Sequence, residues 1–149
     1  HLVKAVEGAD IDVRFKVRHE TGIDSAYFTF VQDAMSDAIY GTAQRAIIPG
    51  ITLCGKTGTA QNPHGYDHSV FMAFAPKENP KIAIAVYVEN AGWGGRSAAS
   101  IASLMIERYL TGEVKRKPLE AYVLKGDFLD PVVRATPAAQ SVPVNMDME

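Results

Sequence analysis

Three apolar runs, Ile51 to Ala60, Ser69 to Ala75 and Lys81 to Glu89, follow one another with only the turn-rich segments NPHGYD and PKENP between them. Connections this short cannot carry the chain back to start a parallel strand, so consecutive strands are expected to pair antiparallel. Along KIAIAVYVEN, Ile82, Ile84, Val86 and Val88 share one face while Ala83, Ala85 and Tyr87 share the other. Both faces therefore read as buried, and layers must cover the sheet on each side.

The covering layers are legible as helical periods. From about Ser25 to Tyr40, Phe28, Val31, Met35 and Ile39 fall on one stripe that reads as core, with Gly41 placed to end the helix. Ser97 can cap a second helix, in which Ala98, Ile101, Ala102, Met105, Ile106 and Tyr109 recur at helical spacing before Gly112 stops it. The fold class is α/β of the α+β kind, an antiparallel sheet with helices packed on its faces. Upstream, IDVRFKVR (11–18) alternates apolar and charged residues with the period of a half-wet strand, and His1 to Glu7 are placed to pair with it as a hairpin. Beyond Lys117, prolines at 118, 131, 137 and 143 and a weak period predict an extended, partly disordered tail over 118–149, leaving 1–117 as the folded domain. There are no internal repeats.

At 149 residues and 47% hydrophobic content the chain can bury one core. Fifteen basic against seventeen acidic residues give a formal charge of -2, which argues against a general nucleic-acid or anionic-membrane binder. The one basic run, Lys115-Arg116-Lys117, reads as a solvated helix end. The single cysteine, Cys54, cannot close an internal disulfide and leaves the redox compartment open; among Ile51, Thr52 and Leu53 it reads as a small core residue. No stretch reaches the roughly 18 apolar residues of a membrane span, and HLVKAVEGAD lacks the shape of a signal peptide, so any membrane anchor is expected outside this sequence.

PGITLCGKTGTAQ, Pro49 to Gln61, satisfies two catalytic patterns at once. Gly50, Gly55, Lys56 and Thr57 fit the phosphate-binding G-x-x-x-x-G-K-[ST] loop, and Lys56-Thr57-Gly58 spells the K-T-G of penicillin-interacting serine enzymes. A phosphate loop needs a glycine-rich turn and a helix beginning at the lysine. Here the intervening Ile-Thr-Leu-Cys prefers an extended strand, and Gly58, Asn62, Pro63 and Gly65 would break a helix within two turns. The K-T-G pattern asks for a strand along the lip of a cleft. Period-two geometry then sends Lys56 to one face and Thr57 and Thr59 to the other, while Gly58 lets another backbone come close.

GKTGTAQ, then DHSVFMAFAP, NPKIAIAVYVENAGWGG and SAASIASLMIERYL, together with AMSDAIYGTA before them, resemble the C-terminal half of a class B penicillin-binding protein's transpeptidase domain over roughly residues 25 to 112. Asp67-His68 and VYVEN with its glycine-rich turn look most like the elongation-type penicillin-binding protein 2. The resemblance implies a partial penicillin-binding-protein/β-lactamase-like fold and serine-type D,D-transpeptidase activity, in which β-lactams imitate a D-Ala-D-Ala stem peptide. By resemblance Lys56 supplies positive potential, Thr57 and Thr59 hydrogen-bond the substrate carboxylate, the Thr59 N–H forms half of an oxyanion hole, and Trp93 lines the acyl-donor end. It also implies the cell-wall elongation machinery as partner, an inner-membrane parent with its catalytic domain outside the cytoplasm, and no cofactor.

None of the serines at 25, 36, 69, 97, 100, 103 and 141 is followed at the third position by lysine, and S-x-N is absent as well. Without a nucleophile and its base no acyl-enzyme can form, so the chain alone is expected to be inactive, a C-terminal fragment of a longer enzyme. A sheet face left without the helices of the missing half is expected to drive self-association. His64, Asp67 and His68 form H-x-x-D-H, but with no third fixed ligand in view they read as structural and no metal is expected. Two other functions remain to be weighed: a non-catalytic binding module on the same sheet, and a nucleotide-binding protein.

Overall fold

A computed structural model of the chain describes residues 7–10, 12–17 and 20–129. The element order is α1 (Ser25–Gly41), β1 (Cys54–Ala60), β2 (His68–Ala75), β3 (Ile82–Val88), α2 (Ala98–Thr111) and α3 (Lys117–Lys125), with short 3-10 turns at Val13–Phe15 and Gln44–Ala46. The strands form an antiparallel sheet in the order β1-β2-β3, as the short connections require. The first strand begins at Cys54, three residues later than the apolar run suggests, because Ile51 is engaged with Ile48 in an isolated bridge around the Pro49-Gly50 turn.

Register fixes which residues share a face. Thr57 pairs with Phe71 and Phe71 with Val86; Thr59 pairs with Ser69 and Ser69 with Val88. On this face α2 packs through three small residues and one large one: Ala98, Ala99 and Ala102, with Ile106, join Phe71 and Ala73 in one buried cluster with Ile39 of α1. Small side chains let the helix approach the sheet closely, and the hydroxyls of Ser100 and Ser103 are satisfied on the Arg96 and Ser100 carbonyls.

The opposite face carries Cys54, Lys56, Val70, Met72, Ala83, Ala85 and Tyr87; α1 covers its Cys54 end, and Lys56, Met72, Ala83, Ala85 and Tyr87 are exposed. Ala83, Ala85 and Tyr87 are exposed, so β3 is wet on one side, contrary to the expectation of two buried faces. The same reason corrects the helix stripes. On α1 only Ile39 of the expected four is fully buried, with Phe28 and Val31 exposed; on α2, Met105 and Tyr109 point to solvent. A helical period identifies an apolar stripe, while burial needs a partner for it.

Several local expectations are revised by the hydrogen bonding. Ser97 does not cap α2: its hydroxyl turns to the Ala91 carbonyl, and Ser69 of β2 instead accepts from the Ala98 N–H at 3.1 Å. Gly41 stays inside α1, which ends at Thr42 through its N–H on the Ala38 carbonyl, whereas Gly112 closes α2 in the left-handed conformation as anticipated. Val13–Phe15 form a 3-10 turn rather than a strand, with the Asp12 carboxylate accepting from the Arg14 N–H; Ile11, Arg18 and the hairpin partner His1 to Glu7, apart from Glu7 itself, lie outside the described residues.

The extended tail expected from residue 118 is replaced over Lys117–Lys125 by α3, because Pro118 sits in its first turn, where a missing N–H costs nothing; residues 130–149 lie outside the described residues. Within Lys115-Arg116-Lys117 only the lysines are solvated. Arg116 turns inward, its Nε donating to the buried Glu107 carboxylate at 3.0 Å and its Nη1 to the Ile47 carbonyl at 2.9 Å.

Candidate active site

The strand through Lys56 runs on extended to Ala60 with no helix starting at the lysine. A phosphate loop requires the backbone to curl there and launch a helix, so the nucleotide reading of this segment is removed.

Thr57, Gly58 and Thr59 form one wall of a cleft of about 580 Å³. The loop before α2 supplies Trp93, Gly94, Gly95 and Arg96, and the segment after α1 supplies Gly41, Thr42, Gln44 and Arg45. The two wings meet at β1 because the loop before α2 presses its backbone directly onto the strand. A Cβ at Gly94 would run into the Gly58 N and O and the Val70 carbonyl, and one at Gly95 into the Thr42 carbonyl. The close approach expected at Gly58 is thus present, but the position that must be glycine is Gly94: a Cβ on Gly58 would point to Val70 at an ordinary 3.4 Å. The strand approach also brings Thr57 Oγ1 within 3.3 Å of Thr42 Oγ1.

Of the five residues singled out in the sequence, four line this cleft: Thr57, Gly58, Thr59 and Trp93, the last largely exposed at its rim. Lys56 does not. Strand alternation turns it to the uncovered face, where its ammonium donates back to the Thr57 carbonyl at 2.9 Å. Thr42, Arg45 and Arg96 were not anticipated. Thr42 follows the α1 terminus in a Gly-Thr pair, which is a readable signal; the arginines are brought in only by tertiary packing.

The far end of the loop before α2 is latched to the β1–β2 turn. Asn90, at φ 53°, donates its N–H to His68 Nδ1 at 3.0 Å, its side-chain oxygen accepts from Asn62 Nδ2 at 2.9 Å, and the Gly92 N–H donates to the Asp67 carbonyl at 2.8 Å. Asp67 and His68 therefore serve the loop connections: the Asp67 carboxylate accepts from the Asn62 N–H. At the other end of β1, Cys54 is fully buried, its thiol 3.3 Å from the Gln32 carbonyl of α1, and burial pushes its pKa up. It packs as the sequence suggests and is held as the thiol. Nearby, Lys77 and Asp33 are 2.6 Å apart, tying the β2–β3 turn to α1, and the Asp33 hydrogen bond raises the Lys77 pKa.

Residues 1–107 match the family model described as penicillin binding protein transpeptidase domain. Peptidoglycan D,D-transpeptidase PbpA of Mycobacterium tuberculosis is 43% identical over 127 residues, with 76% of this chain and 26% of that protein covered. Among solved structures, Pseudomonas aeruginosa PBP2 in complex with WCK 5153 superposes with a TM-score of 0.55 at 33% identity, covering 63% of this chain and 22% of that one. Penicillin-binding protein A from M. tuberculosis, as a ceftriaxone acyl-enzyme complex, gives a TM-score of 0.51 at 37% identity over 54% of this chain and 20% of that one. The chain spans about a quarter, or less, of the length of these proteins.

Proposed function

Because the chain belongs to the penicillin-binding protein transpeptidase family, we propose that it forms part of a peptidoglycan D,D-transpeptidase and supplies one wall of the cleft in which a serine acyl-enzyme forms. The observation that carries this reading is the extended Lys56-Thr57-Gly58-Thr59 strand with both threonines on the wall of a 580 Å³ cleft. Residues two apart on a strand point the same way, so both hydroxyls open into the same cleft, where they are suited to hydrogen-bond the carboxylate end of a stem peptide or a β-lactam. The Thr59 N–H would be one of two donors to the oxyanion of the tetrahedral intermediate, and removing such a donor costs about 10²- to 10³-fold in rate. Lys56 lies on the other face of β1 and contributes positive potential across the strand toward the cleft, into which the remainder of the parent protein would bring the serine and its base. Trp93 closes the rim at the acyl-donor side.

The nucleophile is not on this chain, since no serine stands in S-x-x-K. A fluorescent penicillin is expected to label the longer parent protein covalently and to leave the isolated 149-residue chain unlabelled; labelling of the isolated chain would overturn the assignment of the nucleophile, and failure to label the parent would overturn the function. The uncovered sheet face, with Met72 and Tyr87 exposed, supports a second element of the reading: the rest of the parent domain covers it, and the isolated chain self-associates through it. Sedimentation should show a concentration-dependent increase in mass, and a strictly monomeric species at high concentration would refute this. An inner-membrane parent facing outside the cytoplasm and working with the elongation machinery completes the proposal; among the described residues no helix is long and apolar enough to cross a membrane.

A further inference from the structure

We propose that Arg45 is a specificity-determining cation of the cleft, selecting ligands that present a carboxylate to Thr57 and Thr59, and that Tyr122 on α3 is the residue that positions it. The proposal rests on the acyl-transfer reading above and adds to it two residues, one of them outside the cleft. Charge is the first observation: the lining includes two arginines, Arg45 and Arg96, and no carboxylate, in a chain where acidic residues outnumber basic ones seventeen to fifteen. A concave, positively lined site concentrates anions and holds them against water.

The second observation is that Arg45 is held in place. Its guanidinium carbon lies 4.4 Å from the centroid of the Tyr122 ring, and Phe128 stands edge-on to that ring at 5.6 Å and 74°. Its backbone carbonyl accepts from Ser103 Oγ and from Arg116 Nη1, each at 3.3 Å, and Arg116 is itself anchored on the buried Glu107. An aromatic ring grips a guanidinium by its face, whereas the N–H donors lie in its plane, so this grip is compatible with a two-pronged contact to a carboxylate. An unrestrained arginine would have to be ordered by the ligand; here α3 has already done part of that ordering.

The test uses the full-length parent protein, measuring acylation by benzylpenicillin in competition with a fluorescent penicillin at several ionic strengths. A β-lactam whose carboxylate is blocked as an ester provides the uncharged comparison. Arg45→Gln is expected to slow acylation by the free acid about ten-fold or more, to flatten its salt dependence, and to leave the slow reaction of the ester unchanged. Tyr122→Leu should reproduce part of that loss and Tyr122→Phe should restore it, because the ring face remains. Equal slowing toward acid and ester, no slowing at all, or Tyr122→Phe as impaired as Tyr122→Leu would each overturn the proposal in favour of a purely structural role. Should Arg45→Gln fail to fold, the Tyr122 pair still decides. A wild-type protein that takes no label removes the acyl-transfer reading and this proposal with it, whereas a labelled wild type with indifferent variants removes this proposal alone.

Discussion

The two faces of the sheet are built from alternate residues of the same three strands, yet they behave as different materials. Phe71 is 0% exposed and Met72, its neighbour, is 55% exposed. On one side α2 fits its alanines and serines onto the strands; on the other, Met72, Tyr87, Ala83 and Ala85 are exposed, with the Tyr87 ring 5.3 Å from that of His68. Chemistry follows the same division, since Thr57 and Thr59 open into the cleft of the covered side while Lys56 stands on the bare one. The contrast teaches that an apolar alternation fixes which residues share a face, while burial of that face depends on what packs against it: here α2 covers one side, and Met72 and Tyr87 on the other stay exposed.

The sharpest way to break the comparison is to truncate each face in turn. Phe71→Ala should cost about 3–5 kcal/mol, the usual loss for a large aromatic in a closed core, whereas Met72→Ala should cost well under about 1 kcal/mol in the isolated chain, as for an exposed position. Urea unfolding of both variants checks this. Comparable losses would mean that the bare face is covered after all. Met72→Lys should additionally reduce self-association in sedimentation without lowering the unfolding midpoint.

Charged residues should divide the same way. Glu107 is 3% exposed and its carboxylate answers both Arg116 Nε and the Lys115 N–H. Removing one partner of such a pair strands the other, so Glu107→Gln is expected to destabilise by about 3 kcal/mol. Lys56→Met, on the bare face, should change stability by no more than about 0.5 kcal/mol. A smaller step is the glycine pair: Gly94→Ala forces a methyl into the backbone of Gly58 and should cost about 2 kcal/mol and distort the cleft, while Gly58→Ala, directed at Val70, should be tolerated. Thermal unfolding of the two variants would expose any reversal of that order.

Much of this architecture is legible in the sequence, and the failures have one physical origin. β2 and β3 fall within a residue of their apolar runs because period two and the NPHGYD and PKENP turns act locally. K-T-G could be separated from a phosphate loop because the β-branched residues before Gly55 and the helix breakers after it are also local signals. What could not be read depends on who packs against whom. Phe28, Val31, Met105 and Tyr109 satisfy a helical stripe but remain exposed. The alternation around Val13 has no described strand to pair with, and a side-chain bond from Asp12 claims the turn instead. Pro118 looks like a breaker until its place in the first turn of a helix is known, and without α3 nothing in the sequence links Tyr122 to Arg45, seventy-seven residues earlier.

The smallest expected effect lies where α1 meets the end of β1, at the seam between the two faces. Burial raises the Cys54 pKa above its ordinary 9.0, and the Asp33 hydrogen bond raises that of Lys77 above 10.5. In both cases the folded chain binds the proton more tightly than the unfolded chain does. Stability from these groups is therefore complete at neutral pH and falls as the medium becomes alkaline, first above about pH 9 as the unfolded thiol ionises, then above about pH 10.5 for the lysine. Cys54→Ala should abolish the earlier part of this decline and leave the later part, while Lys77→Met should do the reverse. Unfolding midpoints measured from pH 7 to pH 11 separate the two. A midpoint that holds steady through pH 9–10 in the unsubstituted chain would mean that the thiol is open to water and that α1 does not seal this end of β1, since only a sealed thiol is harder to ionise folded than unfolded.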